Sequence, residues 1–189
     1  MSDVVANHLT EFRSFSKIAR YSRDVIVSEK LDGTNACIYI GEDGEFLTGS
    51  RNRWITPEDD NHGFSRWAHD NKAELLNLGT GRHFGEWWGS GIQRGYGLKN
   101  GEKRFSLFNV SLWGDGNVRP SCCQTVPVLW SCQFDDLDVK LIMEDLWETG
   151  SWAAPGYKNP EGIVVYHTAA GQLFKKTFEN DGGKHEAKQ

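Results

Sequence analysis

The chain is 189 residues long, 38% hydrophobic and 25% charged, the balance of an ordinary globular protein with a core of its own. No run of about 18 apolar residues occurs, which excludes a helical membrane span, and the start Met1-Ser2-Asp3-Val4 lacks the pattern of a secretory signal, so a cytoplasmic protein is expected. A net charge of -5 excludes binding of nucleic acid by overall charge and leaves only a local basic face for that purpose.

In chain order, residues 25–27 and 34–40 read as strands rich in β-branched side chains. Gly41-Glu42-Asp43-Gly44 is a hairpin turn, with residues 45–48 as the return strand. Residues 62–78 place Phe64, Trp67, Ala68, Leu75 and Leu76 at helical spacing, and Gly79 and Gly81 end that helix. Residues 82–87 and 105–113 are aromatic runs of strand length. Residues 136–148 predict an amphipathic helix with Leu137, Leu141, Met143 and Trp147 inward. Residues 162–167 and 173–178 form a last strand pair around Gly171. Strands and helices in this order, without βαβ alternation, predict an α+β fold with mostly antiparallel sheets. A single domain over residues 1–189 is expected, with Asp181-Gly182-Gly183-Lys184 as a loose tail. Trp87, Trp88, Trp113, Trp130 and Trp147 are read as core. Cys37, Cys122, Cys123 and Cys132 lack metal spacing and are expected as free thiols, and His62, His69 and His83 have no catalytic pattern.

Chemistry-bearing motifs punctuate these elements. Ser28-Glu29-Lys30-Leu31-Asp32-Gly33-Thr34-Asn35 sets a lysine at a strand end beside an Asp-Gly turn. Gly49-Ser50-Arg51-Asn52-Arg53 offers two guanidiniums next to a hydroxyl, and guanidinium is a planar fork of donors suited to phosphate. Phe84-Gly85-Glu86-Trp87-Trp88-Gly89 holds a carboxylate inside an aromatic strand, where a polar residue sits at an edge or aims into a site. Arg104-Phe105-Ser106-Leu107-Phe108-Asn109-Val110 carries aromatics, and Pro160-Glu161-Gly162-Ile163 puts a carboxylate at the mouth of a buried strand. In Leu173-Phe174-Lys175-Lys176-Thr177-Phe178 the two lysines are adjacent, so a regular strand sends them to opposite faces.

Taken in order, these motifs resemble the covalent nucleotidyltransferase superfamily of ligases and capping enzymes, over residues 25–178. Gly33-Thr34-Asn35 is most similar to the ATP-dependent RNA ligase branch of phage type that seals nicks in duplex RNA. The resemblance implies antiparallel sheets enclosing a nucleotide pocket with flanking helices. It implies ATP and Mg2+ (or Mn2+) as cofactors, self-adenylylation on Lys30, transfer of AMP to a 5′-phosphate end, and joining to a 3′-hydroxyl. It gives Lys175 a catalytic role beside Lys30, and Glu161 the metal. Glu29, Leu31, Asn35, Ser50 and Arg51 are assigned to the nucleotide, Glu86 to the ribose and Phe105 to stacking on adenine, with Phe108 as its nearest competitor. An ordinary lysine has a pKa near ~10.4 and is mostly charged at neutral pH. The neighbouring Asp32 carboxylate favours the charged form, while Lys175, Arg51 and a bound metal ion oppose it.

The sequence departs from the family twice. The family has two lysines separated by one residue in the closing strand, whereas Thr177 stands two after Lys175. No C-terminal OB-fold or helical domain is expected after Phe178, which implies a weak, salt-sensitive hold on nucleic acid and room for a protein partner in substrate binding. A minimal ATP-dependent DNA ligase shares the same motifs, with Thr34-Asn35 arguing for RNA. A non-catalytic nucleotide-binding or RNA-end-binding protein would have no need of the intact Lys30, Glu161 and Lys175.

Overall fold

The computed structural model describes residue 12, residues 14–179 and residue 181. The N-terminal tetrapeptide and residues 182–184 of the expected tail lie outside the described residues. Among the described residues, no helix is long and apolar enough to cross a membrane.

Alternation within the first strand sets the plan. In β1 (Asp24–Lys30), Val25, Val27 and Glu29 are buried on one face, while Ile26, Ser28 and Lys30 share the other. The chain turns at Leu31–Gly33 into β2 (Thr34–Ile40), then β3 (Phe46–Gly49) and the short β4 (Trp54–Ile55). The first helical segment is two pieces, α1 (Phe64–Asp70) and α2 (Lys72–Leu75), followed by a 3-10 turn at Leu76–Leu78. The predicted continuous helix breaks at Asn71, whose φ of -104° and ψ of 13° leave the helical region. Phe64, Ala68 and Leu75 still reach the core, but Leu76 is exposed.

β5 (Gly81–Gly89) and β6 (Lys103–Leu107) follow. The predicted strand over residues 105–113 stops at Leu107. Asn109 then caps α3 (Val110–Trp113), its Oδ1 accepting from the Leu112 N–H at 3.1 Å. Two strands absent from the sequence reading come next, β7 (Cys123–Thr125) and β8 (Val128–Gln133). Both lie at sheet edges, where one-sided burial weakens the alternation that would reveal them. α4 (Val139–Thr149) buries Ile142, Met143 and Leu146, while Leu141 and Trp147 are exposed. The correction follows from the helical period: 139, 142, 143 and 146 form one stripe, and Leu141 and Trp147 fall outside it. Trp130 is likewise exposed on β8, whereas Trp87, Trp88 and Trp113 are core as expected. β9 (Gly162–His167) and β10 (Gln172–Thr177) close the chain.

The strands make two sheets. One has the order β10-β9-β1-β8, and the other β4-β3-β2-β5-β6-β7, with every pair antiparallel except β6 and β7. The fold is α+β. α4 covers the Val25–Val27 face of the smaller sheet together with Ile163 and Val165. α1 and α2 cover one face of the larger sheet, on Ile38, Trp87 and Phe105. The uncovered faces meet across a cleft of about 1150 Å³.

Candidate active site

Lys30 ends β1 on the face turned away from α4, and so enters the cleft with Ile26 and Ser28. Its Nζ donates to Glu161 Oε2 at 2.8 Å, and both side chains are partly shielded, at 25% and 18% exposure. Glu161 immediately precedes Gly162, which pairs with Lys30 across β1 and β9, so the register of two strands delivers the carboxylate to the amine.

The Asp32-Gly33 turn is fixed from behind. The Asp32 N–H donates to the Tyr96 hydroxyl at 2.8 Å, and Arg94 Nε lies 3.0 Å from Asp32 Oδ2. The Asp32 carboxylate thus has a guanidinium partner of its own. Gly33 N–H donates to Glu86 Oε1 at 3.0 Å. A Cβ at Gly33 would stand 2.4 Å from the Trp87 carbonyl oxygen, so only glycine lets this turn lie against β5. Arg94 and Tyr96 were missed in the sequence. The signal was the glycine density of residues 89–97, which marks a loop in close approach to its neighbours.

Glu86 is buried on β5 opposite Asn35, whose Nδ2 donates to Glu86 Oε2 at 3.3 Å. Burial pushes the Glu86 carboxyl up to about 7. The Lys30 charge and the Gly33 N–H act against that rise, while Glu161 and Asp32 add to it. Each carboxylate oxygen retains a lone pair for a further donor. Lys175 on β10 pairs with Val164 and lines the cleft, as Arg51 does from the loop after β3. Lys176 turns to the other side of the sheet and forms an ion pair with Asp181. Thr177 is buried outside the cleft wall, its hydroxyl donating to the Glu179 carbonyl at 2.7 Å.

Several assigned side chains lie elsewhere. Phe105 is 0% exposed in the core against Phe64 and Trp67, whereas Phe108 is 42% exposed and lines the cleft. Pairing explains the correction. Glu86 faces the cleft opposite Ser106, so Phe105, opposite Trp87, must face the core. The Glu29 side chain is only 1% exposed and points away from Lys30. Its Oε2 accepts from the N–H groups of Trp152 and Ala153 at 2.8 and 2.9 Å, while Oε1 has no partner among the described residues. Burial raises the Glu29 pKa, against the lowering effect of the neighbouring Ser151 hydroxyl and of the Ala153 and Trp152 N–H groups. The carboxylate therefore anchors the 151–154 turn, while Glu29 still borders the cleft beside Lys30. Ser50 donates to the Arg53 carbonyl at 3.2 Å and is not part of the cleft wall. Leu31 is buried beside Trp88 and Tyr96 with an edge on the cleft. Thr34 accepts from Asn61 Nδ2 at 3.0 Å, which ties β2 to the segment before α1.

Among the described residues, no three His, Cys, Asp or Glu side chains converge as a closed metal site. Glu161, with Glu86 nearby, instead suits a hard divalent ion that keeps its waters and takes one or two carboxylates plus phosphate oxygens.

A family model described as RNA ligase matches residues 23–177. No curated protein sequence matches the chain. Among solved structures, an apo lysine-to-alanine variant of Naegleria gruberi RNA ligase has 22% identity and a TM-score of 0.63, covering 82% of this chain and 50% of that one. A glutamate-to-alanine variant of a Naegleria gruberi RNA ligase with ATP and Mn has 21% identity and a TM-score of 0.65, covering 84% and 51%. A third variant, with AMP and Mn, has 21% identity and a TM-score of 0.61, covering 83% and 50%. At these identities the likeness is one of fold, and the chain spans about half the length of those structures.

Proposed function

The chain belongs to the RNA ligase family, and we propose that it is an ATP-dependent RNA ligase that carries AMP on Lys30. The observation that supports this most directly is the Lys30 amine on the cleft wall, hydrogen-bonded to Glu161 at 2.8 Å, with Lys175 lining the same cleft. In the first step the Lys30 nitrogen bonds to the α-phosphorus of ATP and the bond to pyrophosphate breaks. The Lys30 ammonium must shed one proton before its nitrogen can attack and a second as the phosphoramidate forms. Glu161, which accepts a hydrogen bond from Nζ, is placed to take the first, and the departing pyrophosphate can carry away the second. Lys175 and Arg51 present positive charge to the phosphates. Phe108, in place of Phe105, gives the adenine a face to stack on, and the remaining lone pairs of Glu86 accept the ribose hydroxyls.

Glu161 is also the residue that would hold Mg2+ or Mn2+, and such an ion supplies charge neutralisation on the phosphates. The solved Naegleria ligases with ATP or AMP and Mn support that cofactor pair for this chain. AMP then passes to a 5′-phosphate end, and a 3′-hydroxyl displaces it to close the phosphodiester. Gly33-Thr34-Asn35 supports duplex RNA with a nick as the substrate. The groups named for the first step all lie within residues 30–175 of the described fold.

The test is incubation with α-labelled ATP and magnesium followed by a denaturing gel. A labelled adduct that is stable to base, lost in acid and absent in Lys30→Ala is expected. An undiminished adduct in Lys30→Ala would sink the assignment.

A further inference from the structure

The face of the six-stranded sheet that holds Glu86 continues past the mouth of the cleft. Strand pairing puts Cys37 beside Gly49 and Phe84, Tyr39 beside Arg82, and Gly49 beside Trp54, so these residues share that face. A Cβ at Gly49 would lie 3.2 Å from the Trp54 ring, so the indole sits close over the glycine. The Trp54 and Tyr39 rings have centroids 6.1 Å apart. The Arg82 guanidinium stands 5.2 Å from the Tyr39 centroid and 5.9 Å from that of Trp54. Trp54 is 46% exposed, so core packing does not account for it.

Two observations point to what covers this surface. Arg82 and Phe84 also line the cleft, which makes the aromatic patch continuous with the candidate active site. Arg51 and Arg82 have no carboxylate partner among the described residues, whereas Arg53 in the same region pairs with Asp59. In a chain of net charge -5, the uncompensated Arg82 guanidinium beside the exposed Trp54 ring and the half-buried Tyr39 ring forms a local surface for a polyanion with flat bases.

We propose that Trp54, Tyr39 and Arg82 form a stacking platform that holds an RNA strand where it leaves the cleft. Bases stack on the two rings, and Arg82 bridges the rings to the phosphate backbone. The inference rests on the ligase reading, but its readout is separate, because Trp54 and Tyr39 do not line the cleft where adenylylation is placed.

The experiment measures binding of a short fluorescein-labelled RNA by anisotropy, alongside adduct formation with labelled ATP. Trp54→Ala should weaken RNA binding on the order of 10-fold, the scale of losing one base–aromatic stack, while adduct formation stays at the wild-type rate. Trp54→Phe should restore most of the binding. Trp54→Leu, which covers Gly49 without a π face, should bind as poorly as Trp54→Ala. Arg82→Ala should reduce the slope of log K against log salt by about one. Wild-type RNA affinity in Trp54→Leu would overturn the platform, as would an unchanged salt slope in Arg82→Ala. If the wild-type protein forms no adduct, the ligase reading fails while the RNA titrations still decide the platform. If Trp54→Ala does not fold, the Phe and Leu variants carry the decision.

Discussion

The two sheets that wall the cleft bring different residues to it. From the four-stranded sheet come the two lysines, Lys30 on β1 and Lys175 on β10, with Glu161, just before β9, held on Lys30. From the six-stranded sheet and its following segment come Asn35, Glu86, Phe84 and Phe108. The smaller sheet hides alternate residues under α4, so its cleft-facing positions are free to be cationic. The larger sheet pays for its aromatic content by sorting it, with Trp87 and Phe105 inside and Phe84 and Phe108 out. Under the proposed function, phosphate chemistry falls mainly to the smaller sheet, with Arg51 added from the loop after β3, and nucleotide recognition to the larger.

The largest effect expected lies within the larger sheet. Phe105→Ala removes a fully buried ring and should cost about 3–5 kcal/mol of stability in urea unfolding. Phe108→Ala removes a half-exposed ring and should leave stability nearly unchanged, while raising the ATP concentration needed for adduct formation about 10-fold. Equal loss of stability in both variants would mean that Phe108 belongs to the core after all.

The smaller sheet should respond in rate and not in stability. Lys175→Ala removes a cation facing the cleft and should slow single-turnover adenylylation by about 100- to 1000-fold. Lys176→Ala breaks only an exposed ion pair with Asp181, and should change the rate a few-fold at most. A dead Lys176→Ala enzyme with an active Lys175→Ala enzyme would reverse the assignment of faces on β10.

The smallest effect concerns Glu86. Its carboxyl is raised from 4.5 to about 7 in the folded chain, so the folded state binds the extra proton between those values. The associated stability is fully present below about pH 4.5 and is lost as pH rises through about 7. Glu86→Gln removes that titration. Between these limits the wild type should lose about 1–3 kcal/mol more stability than the variant, as measured by unfolding at several pH values. A wild type that gains stability over this range relative to Glu86→Gln would show that the carboxyl is not held up by burial.

Much of the fold was legible because its signals are local. The β-branched runs that became β1, β2 and β9, and the turn at residues 41–44, depend on neighbours a few residues away. The edge strands β7 and β8 were not legible, since a strand exposed on one side lacks the pattern that a core imposes. Leu141 and Trp147 were misplaced because an amphipathic helix with apolar residues outside its stripe has more than one rotation consistent with its sequence.

The sequence by itself determined which chemical groups the site can draw on: Lys30 beside Asp32-Gly33, then Glu86, Glu161 and the lysine pair, in that order. It also determined that only one of Lys175 and Lys176 can enter a given face, because the two-residue period of a strand is a local property. Which face is inside is not local. Only the packing of α1 and α2 on the larger sheet sent Phe105 to the core and Phe108 to the cleft. Only strand pairing across 131 residues brought Glu161 to Lys30, and only the loop at Arg94 and Tyr96 gave Asp32 its partners. Contacts between distant segments depend on how sheets stack and register, and burial against a partner surface, which no single segment encodes, decides the direction of each side chain.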